Sequence, residues 1–146
     1  MSTDVTGRLR QLVAERAYHV CEYCLVHEDD TFWGFEADHI ISRKHGGATT
    51  SENLAWACAC CNSAKGSDIA TLIGNPPRLS ALFHPRQHRW AECFQLAGIT
   101  LEPLNDPGAA TQKLLQLNHD SRVEERRLLA QAGRYPTVEA LARMKE

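Results

Sequence analysis

Three neighbouring segments decide how this chain folds: CEYC at residues 21–24, EADHIISRKHGG at residues 36–47 and SENLAWACACCNSAKG at residues 51–66. The first and third segments contain closely spaced cysteines. The middle segment contains an Asp-His pair, which is followed by a Gly-Gly turn. We interpret the rest of the chain as support for this stretch, because the stretch carries the residues with distinctive chemistry.

The cysteines of these segments form two pairs with two residues between the partners, Cys21 with Cys24 and Cys58 with Cys61. This spacing lets a tight turn present both sulfur atoms of a pair to one tetrahedral ion, the usual arrangement of a structural zinc site. Only one residue separates Cys60 from Cys58, and such a short spacing does not easily place both sulfurs on one metal ion. Disulfide bonds are the alternative, but they fit poorly with paired spacing and a start that lacks a secretory signal. We therefore predict zinc bound by the four paired cysteines.

The pattern around the middle segment predicts a strand, a loop, a second strand and a helix. Residues 32–38 alternate loosely between bulky apolar and polar residues, residues 54–57 form a short apolar run, and a helix begins near Asn62. In such a hairpin with a helix, the end of the first strand faces the first helical turn, so Asp38 and His39 can approach Asn62. A carboxylate and an amide oxygen suit Mg²⁺ or Mn²⁺, and a neutral imidazole can accept a proton from water.

The joint order and spacing of DHI, GG, NL, CxxCN and KG resemble an HNH endonuclease of the His-Me finger, or ββα-metal, superfamily, in the subgroup that a four-cysteine zinc stabilises. The resemblance covers about a third of the chain and rests on several motifs at once. It implies an α+β fold with a zinc-stapled ββα-metal core. It also implies hydrolysis of phosphodiester bonds, with DNA as the partner; the net charge of −2 separately predicts little sequence specificity.

The resemblance implies a role for each matching residue. His39 would be the general base that deprotonates the attacking water, and Asp38 and Asn62 would hold the single catalytic ion, Mg²⁺ or Mn²⁺. Asn53 would orient the loop that carries His39. The third motif position is Asn62 here rather than histidine, as it is in active members such as the HNH domains of CRISPR effector nucleases.

Two basic residues are expected to contact the substrate. Lys65 lies one turn after Asn62 on the predicted helix, close enough to neutralise a phosphate. Arg43 lies beside Lys44 and His45 in the loop between the two strands. A basic loop of this kind is also common on solvated surfaces.

Other functions fit parts of the same pattern. Taken alone, His39 fits a core histidine and Asn53 a turn residue, so only the joint pattern inside the zinc bracket indicates catalysis. A zinc ribbon that binds nucleic acid without catalysis is one alternative, although a pure binding module needs no base beside a carboxylate. Cleavage of RNA is another, because the mechanism uses no 2′-hydroxyl. A single active site favours nicking of one strand, and dimerisation would permit double-strand cutting.

Composition and charge limit the partners. The chain has 146 residues, of which 43% are hydrophobic and 23% charged, and a formal net charge of −2. DNA affinity must therefore come from local patches and from the metal, which predicts modest, salt-sensitive binding. No apolar run approaches membrane-spanning length, the polar start is no signal peptide, and reduced cysteines predict a cytoplasmic protein. A homodimer or a protein partner is left open.

The chain divides into three predicted parts. Residues 1–17 contain an amphipathic helix that runs from Asp4 to Ala17, residues 18–75 form the zinc-bound nuclease module, and residues 76–146 form a mostly helical extension that packs on the module. The extension contains LFHPR, a Trp and a Phe at helical spacing, and LQLN. These motifs resemble, more loosely, the C-terminal extension of small bacterial stand-alone HNH proteins.

Several local signals suggest elements and further sites outside the nuclease module. The module's helix is predicted to continue to Gly74, before an Asn-Pro-Pro break. In the extension, the pattern predicts helices over 85–98, 107–118 and 122–132, a strand over 99–104, a capping box at Ser121 and Glu124, and a short helix after Thr137. Two weaker candidates are a second metal site at His84, His88 and Cys93 and a phosphate-binding stripe of Arg122, Arg126, Arg127 and Arg134.

Overall fold

The strands described in this protein, within residues 5–146, form three separate antiparallel hairpins that are connected and covered by helices. These coordinates are a computed structural model. In chain order the elements are α1 (Gly7–Arg16), β1 (Glu36–His39), β2 (Leu54–Ala57), α2 (Ala59–Lys65), β3 (Ala70–Ile73), β4 (Arg78–Ala81), α3 (Trp90–Cys93), β5 (Phe94–Ala97), β6 (Thr100–Pro103), α4 (Asp106–Leu115), α5 (Asp120–Gln131) and α6 (Val138–Met144). The architecture is α+β, as the sequence predicts.

The hairpin of β1 and β2, followed by α2, forms the strand-loop-strand-helix unit. In its register Asp38 lies opposite Ala55, and His39 lies opposite Leu54. Every residue of β2 is buried, since α1 packs against this strand while α2 packs against β1. The second strand lies over 54–57, as predicted.

The first strand and the first helix are both shorter than predicted. β1 begins at Glu36, and the predicted strand residues before it form a loop in which Phe32 is 90% exposed and Trp33 is 68% exposed. Their alternation with polar residues mimics a strand, but no neighbouring strand pairs with them in the described chain. α1 begins at Gly7, so the prediction of a start at Asp4 lies outside the described residues.

The prediction that the helix of the nuclease module continues to Gly74 is wrong. α2 ends at Lys65, and the next residue, Gly66, has φ +53, which helix propagation does not allow. The chain then forms the β3–β4 hairpin, in which Leu72 pairs with Leu79 across the strands. The predicted boundary between module and extension at residue 75 therefore falls in the turn of this hairpin.

The predicted helix over 85–98 is also wrong, since only its middle is helical. α3 is a single turn, and β5 and β6 follow it as a hairpin whose turn contains Gly98 at φ +67. The apolar residues of this stretch fit a helical spacing, but they also fit the period of two that β5 uses.

The strand prediction over 99–104 is confirmed by β6. The later helices lie within a few residues of their predicted bounds, although His119 rather than Ser121 caps α5.

Residues from the extension contribute to the same buried core as the zinc-pair segments. The indole of Trp90 is fully buried and its Nε1 donates to the backbone oxygen of Tyr23 at 3.1 Å. The hydroxyl of Tyr135 donates to the backbone oxygen of Cys24 at 2.8 Å. Within residues 5–146, none of the helices combines the length and apolar character that a membrane crossing requires.

Candidate active site and metal centre

The four paired cysteines come together although more than thirty residues separate the pairs. Their sulfur atoms all lie within 4.8 Å of one another, and all four residues are buried. The sulfurs of Cys24 and Cys58 are 3.7 Å apart. Four thiolates about 2.3 Å from a tetrahedral zinc would be about 3.8 Å from each other, so the cluster fits this ion. The predicted grouping of the cysteines is confirmed.

Backbone and side-chain donors surround these sulfurs. The backbone N–H of Cys24 points at the sulfur of Cys21 (3.5 Å), and that of Cys61 points at the sulfur of Cys58 (3.4 Å). Arg122 of α5 donates to the sulfur of Cys61 at 3.1 Å. Burial opposes the charge of this guanidinium, but the neighbouring sulfurs more than compensate and raise its pKa. Such donors stabilise thiolate charge, as metal ligation requires.

The other two cysteines lie outside the cluster. Cys60 is exposed, as expected for a residue without a ligand role. Cys93 is buried, which raises the pKa of its thiol, and its sulfur accepts from the side chain of Asn105 at 3.5 Å. Within residues 5–146, the only group of three or more potential metal ligands is the four-cysteine cluster, so the alternative of a second site with His84, His88 and Cys93 gains no support.

Asp38 is buried at the centre of the predicted catalytic group. Its carboxylate accepts from the hydroxyl of Tyr23 (3.0 Å) and from the ammonium of Lys65 (3.2 Å). Burial raises the pKa of this carboxyl, although Lys65 and Tyr23 act in the opposite direction. Lys65 is itself only 1% exposed and also donates to the backbone oxygen of His39 at 3.0 Å. The ammonium therefore connects the carboxylate of Asp38 to the backbone of His39.

The imidazole of His39 is fixed by one hydrogen bond. Its Nε2 lies 2.9 Å from the hydroxyl of Thr49, while Nδ1 has no hydrogen-bond partner among residues 5–146. Burial lowers the pKa of His39 below 6.5, and this effect exceeds the opposing effect of Asp38. The neutral imidazole is therefore the favoured form at neutral pH.

Asn53 closes the loop between β1 and β2. Its side-chain oxygen accepts from the backbone N–H of Ile41 at 2.9 Å, and its amide nitrogen donates to the backbone oxygens of Ile41 and Ala48, both at 2.8 Å. A Cβ at Gly47 would lie 1.7 Å from the backbone oxygen of Ile41, so only glycine allows the loop to approach this closely. The side chain of Asn53 thus joins both ends of the loop that begins just after His39.

The remaining predicted residues lie at the edges of this group. Asn62 is on α2, three residues before Lys65, and is half-buried. Residues three apart share a helix face, so Asn62 lies on the face that meets β1. Arg43 is exposed in the 3-10 turn between the strands. The structure thus brings Asp38, Lys65 and the backbone of His39 into direct contact and places Arg43 outside that group.

This arrangement agrees with a comparison against protein families. Residues 21–68 match the family described as HNH endonuclease. We refer to this stretch as the HNH domain, after the family that it matches. Comparisons with curated proteins and with solved structures gave no match. The HNH domain covers about a third of the chain, from the first cysteine pair to the residues that follow α2.

Sequence patterns did not indicate three residues that contact the key groups of the HNH domain. Tyr23 contacts Asp38, Thr49 contacts His39, and Arg122 contacts the sulfur of Cys61. The sequence predicts a phosphate-binding stripe that includes Arg122 and Arg126, but both residues are buried. These two residues cannot form part of the predicted stripe, because buried guanidinium groups bonded to the protein do not reach a DNA backbone. The other two, Arg127 and Arg134, pair with Glu124 and Asp30.

Proposed function

We propose that the HNH domain makes this chain a divalent-metal-dependent DNA endonuclease, with His39 as the general base and the four cysteines holding a structural zinc ion. The observation that carries the proposal is the environment of His39. One nitrogen of its ring makes a hydrogen bond to the Thr49 hydroxyl, and the other nitrogen has no partner among the described residues. His39 also directly follows the buried carboxylate of Asp38. These features suit a base that accepts a proton from water near neutral pH.

Three residues around His39 each fix a different part of its surroundings. With Nε2 donating to the hydroxyl of Thr49, the lone pair of Nδ1 remains available for a proton from the attacking water. Asn53 holds the loop that carries Thr49, through its bonds to Ile41 and Ala48. Lys65 fixes the strand end through the backbone oxygen of His39. The imidazole is thereby oriented before the substrate arrives, which lowers the reorganisation that proton transfer requires.

The donors for a catalytic cation would be Asp38 and Asn62. A carboxylate and an amide oxygen match the oxygen ligands of Mg²⁺ or Mn²⁺, and the side chain of Asn62 has no hydrogen-bond partner among residues 5–146. Such an ion, when bound, stabilises negative charge on the scissile phosphate and on the leaving oxygen. The carboxylate of Asp38 has about four lone-pair positions, so Tyr23 and Lys65 do not exhaust its capacity.

Lys65 and Arg43 take different roles in this proposal. The buried ammonium of Lys65 donates to Oδ1 of Asp38 and to the backbone oxygen of His39, and it lies 3.2 Å from Oδ2 of Asp38. We therefore assign Lys65 to positioning Asp38 and His39, and we assign phosphate contact to the exposed Arg43. A single site of this kind in one chain hydrolyses one strand, so the expected product is a nick.

A nucleic-acid-binding module without catalysis is the second candidate. The buried ammonium of Lys65 lies 3.2 Å from the carboxylate of Asp38, so the negative charge of Asp38 is balanced without a divalent ion. Binding alone would need no base, so the substitution of His39 would then leave the affinity for DNA nearly unchanged.

Plasmid nicking tests the proposal. Supercoiled DNA is incubated with the purified protein in magnesium, manganese or EDTA, beside the variants His39→Ala and His45→Ala, and zinc content is measured in each sample. His45 is an exposed histidine of the loop that follows His39 and serves as the matched control. We expect wild type and His45→Ala to relax the plasmid only with added metal, and His39→Ala to lose about 100-fold or more in rate, the usual contribution of a general base.

Folded, zinc-loaded wild type that never cuts DNA would favour the binding module. RNA offered in competition measures sugar preference in the same assay.

A further inference from the structure

A cavity of about 260 Å³ opens beside the end of β1, and the proposed hydrolysis does not use it. Two isoleucines that directly follow His39 form one wall, Ile40 and Ile41. Side chains from the base of the β3–β4 hairpin and from the segment after it form the rest, including His84 and His88. Lys65 also lines it, so this cavity adjoins a residue that positions His39.

The two histidines are fixed in one orientation by the backbone. Nδ1 of His88 accepts from the backbone N–H of His84 at 2.9 Å, and Nδ1 of His84 accepts from the backbone N–H of Arg86 at 3.2 Å. A nitrogen that accepts carries no proton, so in each neutral ring the proton is on Nε2. Neither Nε2 has a partner among residues 5–146, and neither belongs to the buried atoms that lack one. Both Nε2–H groups are therefore free donors.

The charge of the cavity argues against two classes of ligand. A metal ion needs a lone pair on the histidine nitrogen that faces it, and here that nitrogen carries a proton. A phosphate needs a free cation, but the ammonium of Lys65 is already paired with the carboxylate of Asp38 at 3.2 Å and donates to the backbone oxygen of His39. Burial and the proximity of His88 also lower the pKa of His84, which keeps its ring neutral at pH 7. What remains is a largely apolar cavity whose neutral polar groups are the two imidazoles and the amide of Gln87.

We propose that this cavity receives one unstacked nucleobase of the DNA strand, next to the phosphodiester that His39 attacks. The proposal rests on the proposed function insofar as the ligand is DNA. A nucleobase is a flat, largely apolar ring system with oxygen and nitrogen acceptors on its edge, which the Nε2–H groups of His84 and His88 would bind. The volume lies near the lower end of protein ligand pockets, about 300 Å³, and suits a single base.

The histidines allow an informative pair of substitutions. Asparagine places an oxygen near the position of Nδ1 and so keeps the acceptor for the backbone N–H, but it removes the Nε2–H donor. Glutamine places an amide N–H near the position of Nε2 and so retains the donor. His119→Asn is the matched control, because His119 is exposed, caps α5 far along the chain, and can be replaced there by another good capping residue.

The experiment measures binding without added magnesium or manganese, so that no cleavage occurs. Two short duplexes carry one 2-aminopurine, either paired with thymine or placed opposite an abasic site. We expect wild type to bind the unpaired form more tightly, by about tenfold, with a rise in 2-aminopurine fluorescence on binding. His84→Asn and His88→Asn should each lower this preference about fivefold, the equivalent of one hydrogen bond. The glutamine variants and His119→Asn should retain it.

Each other result decides against the proposal. Equal affinity of wild type for the two duplexes, no DNA binding, or a preference that both asparagine variants keep would overturn it. Nicking of plasmid without any preference for the unpaired base would remove the cavity proposal and leave the endonuclease proposal intact. A preserved preference in a protein that never nicks DNA would support the cavity and remove only the catalytic step.

Discussion

Among single residues, Thr49 has the most direct influence on the proposed base. Its hydroxyl is the sole described partner of the His39 ring, at 2.9 Å. Without this contact, the imidazole can rotate and either nitrogen can carry the proton. Orientation of a general base by such a partner commonly changes activity by one to two orders of magnitude.

We therefore predict that Thr49→Val lowers kcat for nicking about tenfold and leaves KM nearly unchanged. Valine preserves the shape of threonine but has no hydroxyl, so the change acts on the orientation of His39. Thr49→Ser retains the hydroxyl and should restore most of the rate. Steady-state kinetics on a fluorescent duplex would separate the two parameters. A valine variant as fast as wild type would show that Thr49 does not position the base.

The residues of this site differ in how far sequence reveals them. The four cysteines could be predicted because each pair is local and its spacing is set by the geometry of one ion. Thr49 and Tyr23 could not, since threonine in a loop and tyrosine between two cysteines have many ordinary uses. Arg122 contacts a sulfur whose residue lies sixty-one positions earlier, and no local spacing encodes such a contact.

At the scale of elements, α6 is attached to the HNH domain through one buried carboxylate. Glu22 has no exposed surface, and its side chain accepts from Arg143 of α6, from Arg86, and from the backbone N–H of Trp56 at 2.8 Å. The Nη2 atom of Arg143 lies 2.7 Å from the carboxylate. This cluster connects the second strand of the central hairpin to the last helix of the chain.

Arg143→Met should therefore destabilise the fold by about 2–3 kcal/mol, because it removes one of two cations from a buried carboxylate while nearly preserving side-chain volume. Arg127→Met provides the control, since the pair of Arg127 with Glu124 is about half exposed and such pairs contribute about 0.5 kcal/mol. Urea unfolding of the two variants would measure both effects. Equal midpoints would mean that Arg86 alone satisfies Glu22.

The sequence predicts elements whose ends are marked by clear start and stop residues, but it does not predict the short hairpins. β2 and the last three helices have clear starts and ends in the sequence. The β3–β4 and β5–β6 hairpins use strands of four residues each, whose apolar positions also match a helix. Strands this short depend on pairing with a partner rather than on local preference, so tertiary context decides between the two periods.

For the whole molecule, the candidate zinc site is a point where distant parts of the chain meet. Arg122 of α5 contacts Cys61, the hydroxyl of Tyr135 contacts Cys24, and the indole of Trp90 contacts Tyr23 between the first two cysteines. The extension and the HNH domain thus share one core, and the extension contacts the candidate zinc site. The stability of the extension should depend on the ion even though it supplies none of the four sulfurs.

Removal of the zinc is predicted to unfold the extension together with the HNH domain. Four buried thiolates without an ion repel one another, and the binding free energy of a structural zinc is largely folding free energy. Thermal unfolding followed by circular dichroism, with and without a strong chelator, should show the cooperative transition disappear, and the near-ultraviolet signal of the buried Trp56 and Trp90 should be lost with it. Readdition of zinc in excess of the chelator should restore both signals, which controls for damage by the treatment. A chelated protein that is free of zinc by elemental measurement, yet keeps the full near-ultraviolet signal and a cooperative transition, would show that the fold does not depend on the ion.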